Sequence, residues 1–257
     1  MRALFLLCLP VVAAHAFFNG NPEAPDVIDD GIIFSKESDF SIEIGYQKDW
    51  VFDMNLSAQN LIGSSFQNSQ ANFDQGVIRV DFLGHYQIYG SLGSAKFFLD
   101  QTLRSDQTIS YISDDAFTFG VGGKILIYQG HGFSFGIDGK YQYASFDLPT
   151  IIKQGDYMPQ KSAYGSFYGF QIGLAAAYHI DIFSPYIGID YLFQKIHFQK
   201  IKNGIVSNLD NDFYAKSRIP VGGIVGVTLS SGRDFAVTVE SRFIDENAVT
   251  LMFDLKF

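Results

Sequence analysis

The sequence predicts an all-β fold, and three observations narrow this to an antiparallel β-barrel that spans a membrane. The chain of 257 residues begins with an export signal, its apolar residues alternate with polar ones over most of its length, and the alternating runs often reach ten to fifteen residues. Alternation of period two is typical of a strand whose two faces meet different surroundings. Soluble strands cluster near five or six residues and membrane strands need about nine to eleven, so the long runs favour a membrane.

Composition excludes several other classes of protein. The chain contains 26 Phe, 14 Tyr, 1 Trp, 25 Gly, 7 Pro and a single Cys, and 18% of its residues are charged. That content is too apolar and aromatic for a disordered chain, and abundant Gly with little Pro suits strands that bend while keeping their ladder hydrogen bonds. No low-complexity linker or run of like charges divides the sequence, so one domain is expected.

Residues 1–16 are predicted to form a secretory signal peptide. Arg2 provides the positive charge, residues 3–14 form an apolar stretch, and Ala14-His15-Ala16 is a small-x-small cleavage site. Cleavage there leaves Phe17 as the first residue of an exported chain.

A buried N-terminal helix is the alternative for this segment, and Pro10 disfavours it. Cys8 lies in the segment to be removed and lacks the small preceding residue of a lipid-attachment site, so the mature chain is expected to be free of cysteine and of a lipid anchor. The remaining 241 residues carry 17 basic and 27 acidic side chains, a net charge of −10. A nucleic-acid partner is therefore not expected.

The alternating runs are each assigned to one strand, of which the last is the clearest: Val249, Leu251, Phe253, Leu255 and Phe257 alternate with the other parity to the end of the chain. A run at 162–180 without Asp, Glu, Lys or Arg has nearly the length of a membrane helix, but its bulky residues fall on even positions, so a strand is predicted there too. The predicted strands are 39–47, 50–56, 76–83, 86–99, 116–129, 132–146, 163–180, 185–198, 215–230, 234–243 and 247–257.

Eleven strands do not suit a closed bacterial barrel, which has an even number. A twelfth strand is therefore predicted at 27–35, which makes a barrel of about 12 strands, with 10, 14 or 16 as alternatives. Short connections alternate with long ones, and we assign the short ones and the C-terminus to the periplasm. On that assignment the strand at 39–47 descends from the outside.

Three parts of the sequence, taken in order, resemble the chlamydial major outer membrane porin family: residues 20–32 with 44–53, residues 183–190 and residues 236–246. The resemblance implies an outer-membrane porin for passive diffusion of small hydrophilic solutes and ions. Its implied partners are outer-membrane lipid and the barrel assembly machinery, which recognises a C-terminal aromatic residue such as Phe257. A homotrimer is the oligomer that would be expected of such a porin. The chain is shorter than typical members and lacks their cysteines, so a disulfide-linked coat is not expected.

Charged residues of the predicted strands share the parity that faces away from lipid, because a charge facing the bilayer costs up to a few kcal/mol. A solvated wall explains this placement whatever the function, and a mixed-charge aqueous pore is preferred over a plugged lumen. Small inward residues leave lumen volume, which favours conduction over a scaffold whose large side chains would fill it; they are Gly165, Gly169, Gly173, Ala175 and Ala177. With five charges of each sign, weak ion selectivity is expected. The candidate pore-lining residues are Glu43, Arg79, Asp81, Lys124, Asp138, Lys140, Asp190, Arg218, Glu240 and Arg242.

No catalytic residue, cofactor or metal site is predicted. The G-x-S-x-G pattern around Ser134 would need a helix after the serine, where the strand alternation continues. The histidines show neither metal-ligand spacing nor a specified partner. Two functions remain: a diffusion porin, and a non-conducting barrel that acts as an adhesin or as a structural protein of the envelope.

Overall fold

The computed structural model describes residues 18–23, 28, 32, 39–59, 65–103, 107–160, 162–201, 212–231 and 234–257, and the predicted signal peptide lies outside them. Its strands are β1 (Phe40–Met54), β2 (Leu56–Gln59), β3 (Ser65–Phe82), β4 (Tyr86–Thr102), β5 (Thr108–Ile112), β6 (Ala116–Gly130), β7 (Phe133–Asp147), β8 (Thr150–Lys153), β9 (Asp156–Pro159), β10 (Tyr164–Tyr178), β11 (Phe183–Gln199), β12 (Phe213–Ser217), β13 (Val221–Ser230), β14 (Phe235–Phe243) and β15 (Glu246–Lys256). Within the described part of the chain, no helix has the length and apolarity to cross a membrane.

Ten strands form a closed antiparallel barrel, which confirms the predicted fold class. They pair in the order β1, β3, β4, β6, β7, β10, β11, β13, β14 and β15, and β15 pairs with β1 to close the ring. Following paired residues once around the wall from Ser166 leads back to the same strand at Tyr178, twelve residues further on. A stagger of this kind accompanies strands tilted by roughly 35–45° from the barrel axis.

The strand count is ten rather than about twelve, and ten is one of the counts that the sequence left open. The predicted strands 39–47 and 50–56 are one strand, β1, because the polar residues between them keep the alternation: Gln47 and Asp49 are buried and Lys48 faces outward. The predicted strand 27–35 falls largely outside the described residues. Both edges of β1 are already paired, so the wall closes without it.

Both termini of the barrel lie at one end, which we assign to the periplasm. The chain enters the wall at the start of β1 and leaves it at the end of β15, and short turns join β3 to β4, β6 to β7, β10 to β11 and β13 to β14 at this same end. β1 therefore ascends, and the descending direction expected for the strand at 39–47 is wrong. The error follows from taking 47–50 as a turn.

The long connections at the outer end fold back as further strands. β5 pairs with β4, β8 with β5 and β9 with β8, which widens the sheet above the barrel. β12 joins β11 to β2 and so continues the wall above the shorter strands β13 and β14. The outer end of the barrel is covered rather than open.

A core of buried apolar residues fills this outer end, and we call it the apolar cap. Aromatic rings form its centre, with Phe97 stacked on Phe146 at 4.5 Å and Phe198 on Phe213 at 4.5 Å between centroids. The apolar cap consists of Val51, Met54, Leu56, Phe66, Ala71, Phe73, Ala95, Phe97, Leu99, Ile109, Tyr111, Ala116, Ala144, Phe146, Leu148, Ile151, Ala163, Phe167, Leu192, Ile196, Phe198, Ile201, Phe213 and Ala215.

The outward face of the wall is apolar, as contact with lipid requires. Large side chains such as Ile78, Leu92 and Val121 are exposed there. Neighbouring strands β6, β7 and β10 carry Phe119, Tyr143 and Tyr168, whose rings contact one another at 5.5 and 5.2 Å. The two faces therefore differ as the alternation predicted.

An ion pair on the outer face joins β1 to β3. Lys48 on β1 pairs with Asp74 on β3, and the hydroxyl of Tyr46 donates to the Asp74 carboxylate at 2.6 Å. The Lys48 ammonium lies 6.0 Å from the centroid of the Trp50 ring. Pairing reduces the cost of placing both charges on the outer surface of the barrel.

Candidate functional site: the barrel lumen

Nine of the ten predicted lumen residues are buried inside the barrel, none more than 5% exposed. They lie on the inward parity of six strands, so the period-two pattern was sufficient to place them. Whether they line a conducting path stays a prediction. The nine are Glu43, Arg79, Asp81, Lys124, Asp138, Lys140, Asp190, Glu240 and Arg242.

The inward placement predicted for Arg218 is wrong. The strand expected at 215–230 is broken between β12 and β13, where Pro220 has no N–H to donate to a ladder. Arg218 lies in this break, its side chain is exposed, and its backbone N–H donates to the carbonyl of Asn55 at 2.7 Å.

The sequence reasoning missed four inward charges, which are Asp49, Glu246, Asp254 and Lys256. The first two and Lys256 are at most 6% exposed, and the side chain of Asp254 is 12% exposed. Asp254 and Lys256 stand on the inward parity of the last strand and were readable from it, whereas Asp49 and Glu246 were assigned to turns. With them, the inward face of the described strands carries eight carboxylates and five cations. The expected balance of charge is therefore wrong, and the lumen is acidic.

Charged side chains in the periplasmic half of the lumen have partners on strands two positions away in the wall. Arg79 on β3 pairs with Asp254 on β15. The Tyr89 hydroxyl donates to both carboxylate oxygens of Asp138 at 3.0 Å. These contacts join β3 to β15 past β1, and β4 to β7 past β6.

A second network crosses the middle of the lumen around Arg242, which is fully buried. Its guanidinium pairs with Glu240 at 2.5 Å and donates through Nε to Glu246 at 3.1 Å. It also donates to the Thr250 hydroxyl at 3.2 Å, and that hydroxyl donates to Asp49 at 2.6 Å. One cation thus organises three carboxylates on β1, β14 and β15.

The lumen also contains residues 18–23, which the sequence reasoning did not place there. The backbone N–H of Asn19 donates to Glu240 Oε1 at 3.0 Å, and that of Gly20 donates to Oε2 at 2.8 Å. The hydroxyl of Tyr186 donates to Oε2 at 2.9 Å. We call residues 18–23 the N-terminal segment.

Further contacts fix the N-terminal segment along its length. Phe18 packs against Val77 and Met252 on the lumen wall. Lys124 donates its ammonium to the carbonyl of Asn21 at 2.9 Å. The preferred expectation of an open aqueous lumen is therefore not what this conformation contains.

Gly173, one of the inward small residues that were interpreted as space for a pore, makes space for the N-terminal segment, and so does Gly136 on β7. An ideal Cβ on Gly173 would lie 1.9 Å from Asn19 Oδ1, and one on Gly136 would lie 3.1 Å from Pro22 Cβ. A cavity of about 30 Å³ remains beside the segment, enough for a water molecule or two.

A third group of carboxylates lies at the outer turn between β14 and β15. An ideal Cβ on Gly222 would lie 2.0 Å from Asp245 Oδ1 and 2.6 Å from Asp190 Oδ1, so both oxygens converge on this glycine. Burial, with the nearby carboxylates of Glu246 and Asp190, raises the pKa of Asp245 to about 9. Asp245 therefore holds a proton at neutral pH.

Comparison with known proteins places the chain among outer-membrane proteins. The major outer membrane porin of Chlamydia psittaci is 27% identical over 148 residues, which cover 44% of this chain and 38% of that porin. No family model matches the chain. The chain is an outer-membrane β-barrel protein. The resemblance seen in the sequence is confirmed at the level of an outer-membrane barrel. The match covers about two fifths of the porin's length.

Solved structures with similar folds include an outer membrane channel from Pseudomonas putida F1 and the outer membrane protein OprG from Pseudomonas aeruginosa. The channel is 11% identical, with 90% of this chain and 100% of that chain covered and a TM-score of 0.43. OprG is 10% identical, with 90% and 99% covered and a TM-score of 0.42. The outer membrane protease OmpT from Escherichia coli is 11% identical, with 85% and 93% covered and a TM-score of 0.38.

Proposed function

We propose that this protein is an outer-membrane porin for small hydrophilic solutes and ions, and that the conformation described above is closed. The observation that carries the proposal is that the lumen is apolar at its outer end and charged along the rest of its wall. The outer part is filled by the apolar cap, whereas the rest of the inward wall carries thirteen charged side chains. Buried charges cost several kcal/mol each and are often replaceable by apolar residues without loss of stability. If water fills the lumen in an open state, these charged side chains are solvated there, which explains why the wall has them.

Two elements close the path. The N-terminal segment occupies the periplasmic part of the lumen, and the apolar cap covers the outer part. Six of the 24 cap residues come from β2, β5, β8 and β12, which lie outside the ten-stranded wall. These strands can move without breaking the ring of the barrel. The name of the matched relative, a major outer membrane porin, supports the same function.

A non-conducting barrel that acts as an adhesin or an envelope structural protein is the second candidate, and the apolar cap favours it. Fully burying one Leu, Ile or Phe side chain stabilises a protein by about 1.5–3 kcal/mol, so a cap of this size resists opening. An enzyme is not proposed. Ser134 lies at the start of β7, which runs on to Asp147, so the serine does not occupy a strand-to-helix elbow.

Conductance of the refolded mature chain in planar bilayers tests the proposal. We expect discrete conductance steps from a chain that starts at Phe17, and more frequent steps from a chain that starts at residue 24 and lacks the N-terminal segment. Heat-dependent migration in gels verifies that both are folded. If neither folded chain conducts, the porin function is excluded and the non-conducting barrel is the better description.

A further inference from the structure

We propose that the barrel lumen contains a peptide-binding site and that its ligand is the N-terminal segment of the same chain. The site itself does not depend on the porin function. Only its effect on conductance rests on that function.

The first argument is that Glu240 is completed by the N-terminal segment. Its side chain is fully buried, and it receives hydrogen bonds from two successive backbone N–H groups, those of Asn19 and Gly20. Successive N–H groups around a residue in the left-handed region form a concave anion-binding nest, and Gly20 has φ +73°. Without the segment, Oε2 would keep only the Tyr186 hydroxyl among these donors. Part of the carboxylate's solvation in this buried place therefore comes from the peptide.

The second argument is the shape of the wall. Gly173 on β10 leaves the space that the Asn19 side chain fills, since a Cβ there would overlap Asn19 Oδ1 at 1.9 Å. The Lys124 ammonium donates a hydrogen bond to the carbonyl of Asn21, two residues further along the peptide. A carboxylate, a cation and a glycine on three different strands thus recognise three consecutive residues of one peptide. This is a built site for an extended chain rather than chance filling of space.

The third argument concerns direction. Glu23 lies 3.5 Å from the His179 ring nitrogen at the periplasmic turn between β10 and β11, and the carbonyl of Ile28 accepts from Lys256 near the end of β15. The peptide therefore enters from the periplasmic end, and Phe18, its first described residue, packs against the wall at Val77 and Met252.

A disulfide tests the seating directly. An ideal Cβ on Gly173 lies 2.7 Å from Asn19 Cγ, so cysteines at these positions fall within reach of a disulfide, whose Cβ atoms are about 3.5–4.5 Å apart. The variant Asn19→Cys/Gly173→Cys, in a chain that starts at Phe17, is expected to form the bond nearly completely under mild oxidation. Intact mass and thiol labelling measure it. The matched control is Asn19→Cys/Gly139→Cys, whose second cysteine faces outward on β7 with no atom within 4 Å of its Cβ.

The outcomes separate the binding site from the porin function. If the Asn19/Gly173 pair stays reduced and is labelled as fast as the control pair, the binding site is wrong. If the disulfide forms but the reduced variant never conducts, the site stands and the porin function fails. If the reduced variant conducts and the oxidised one does not, both stand.

A synthetic peptide with the sequence of residues 17–23 tests recognition without the tether. It is expected to bind a folded chain that starts at residue 24 saturably, with fluorescence anisotropy of a label at its C-terminal end as the readout. The matched peptide with Gly20→Ala is expected to bind about tenfold more weakly, because a residue with a side chain pays about 1–2 kcal/mol in the left-handed region. Equal binding of the two peptides would contradict specific recognition.

Discussion

Arg242 and Glu240 stand two residues apart on β14 and pair inside the lumen, with Nη1 2.5 Å from Oε1 and both side chains fully buried. Residues i and i+2 of a strand point to the same face, so the pair belongs to the inward face by construction. The same carboxylate holds the N-terminal segment. The stability of the wall and the binding of the N-terminal segment therefore both depend on this ion pair.

Removing the cation alone is expected to be costly. Arg242→Met leaves Glu240 and Glu246 buried without it, and breaking a buried pair costs about 3–5 kcal/mol. Urea unfolding of the protein refolded in detergent micelles measures the loss. The double variant Arg242→Met/Glu240→Gln is expected to recover part of it, and a double variant no more stable than the single one would contradict the pairing.

The acidic excess of the lumen predicts cation preference if the barrel conducts. Eight inward carboxylates face five inward cations, so the reversal potential in a salt gradient is expected on the cation side, most visibly at low ionic strength. Glu43→Gln, which removes one buried inward charge with little change of shape, is expected to reduce the preference. Phe133→Leu, on the exposed outward face, is the control. An equal shift in both variants would contradict the assignment of faces.

The protonated Asp245 predicts a pH-dependent stability. Its pKa is about 9 in the folded protein against an ordinary value near 3.8, because of burial and the carboxylates of Glu246 and Asp190. Between about pH 4 and pH 9 the unfolded chain releases this proton while the folded chain keeps it, so folding is progressively disfavoured as pH rises. Asp245→Asn is expected to match the wild type near pH 4 and to exceed its melting temperature by several degrees at pH 8. An Asn variant with the same pH dependence as the wild type would refute the assignment.

The C-terminal Phe257 is predicted to be an assembly signal. Its backbone N–H also donates to the Ile42 carbonyl at 2.8 Å, which helps to join β15 to β1. Deleting Phe257 is expected to leave protein in the periplasm, whereas Phe257→Tyr, which keeps an aromatic ring and the N–H, is expected to assemble. Fractionation of the outer membrane measures both. Normal outer-membrane levels of the deletion would show that the residue is not read.

Sequence alternation alone was sufficient for the class of fold and for most of the lumen wall. Parity is a local property: neighbouring residues of a strand point to opposite faces, so Asp138 and Lys140 could be placed inward without knowing which strands flank β7. The same reasoning fails where a strand is misjudged. Gln47-Lys48-Asp49 has the composition of a turn but continues β1, since its two inward polar side chains find partners in the lumen.

The strand count and the contents of the lumen were decided only by tertiary structure. The barrel closes through pairs such as Glu43 with Lys256 at opposite ends of the chain, and no local pattern contains that pairing. The N-terminal segment is held by contacts such as Asn19 with Glu240, 221 residues apart. A glycine such as Gly173 shows in the sequence that space exists on the inward face, but whether water or a peptide fills it depends on which distant groups the closed ring brings together.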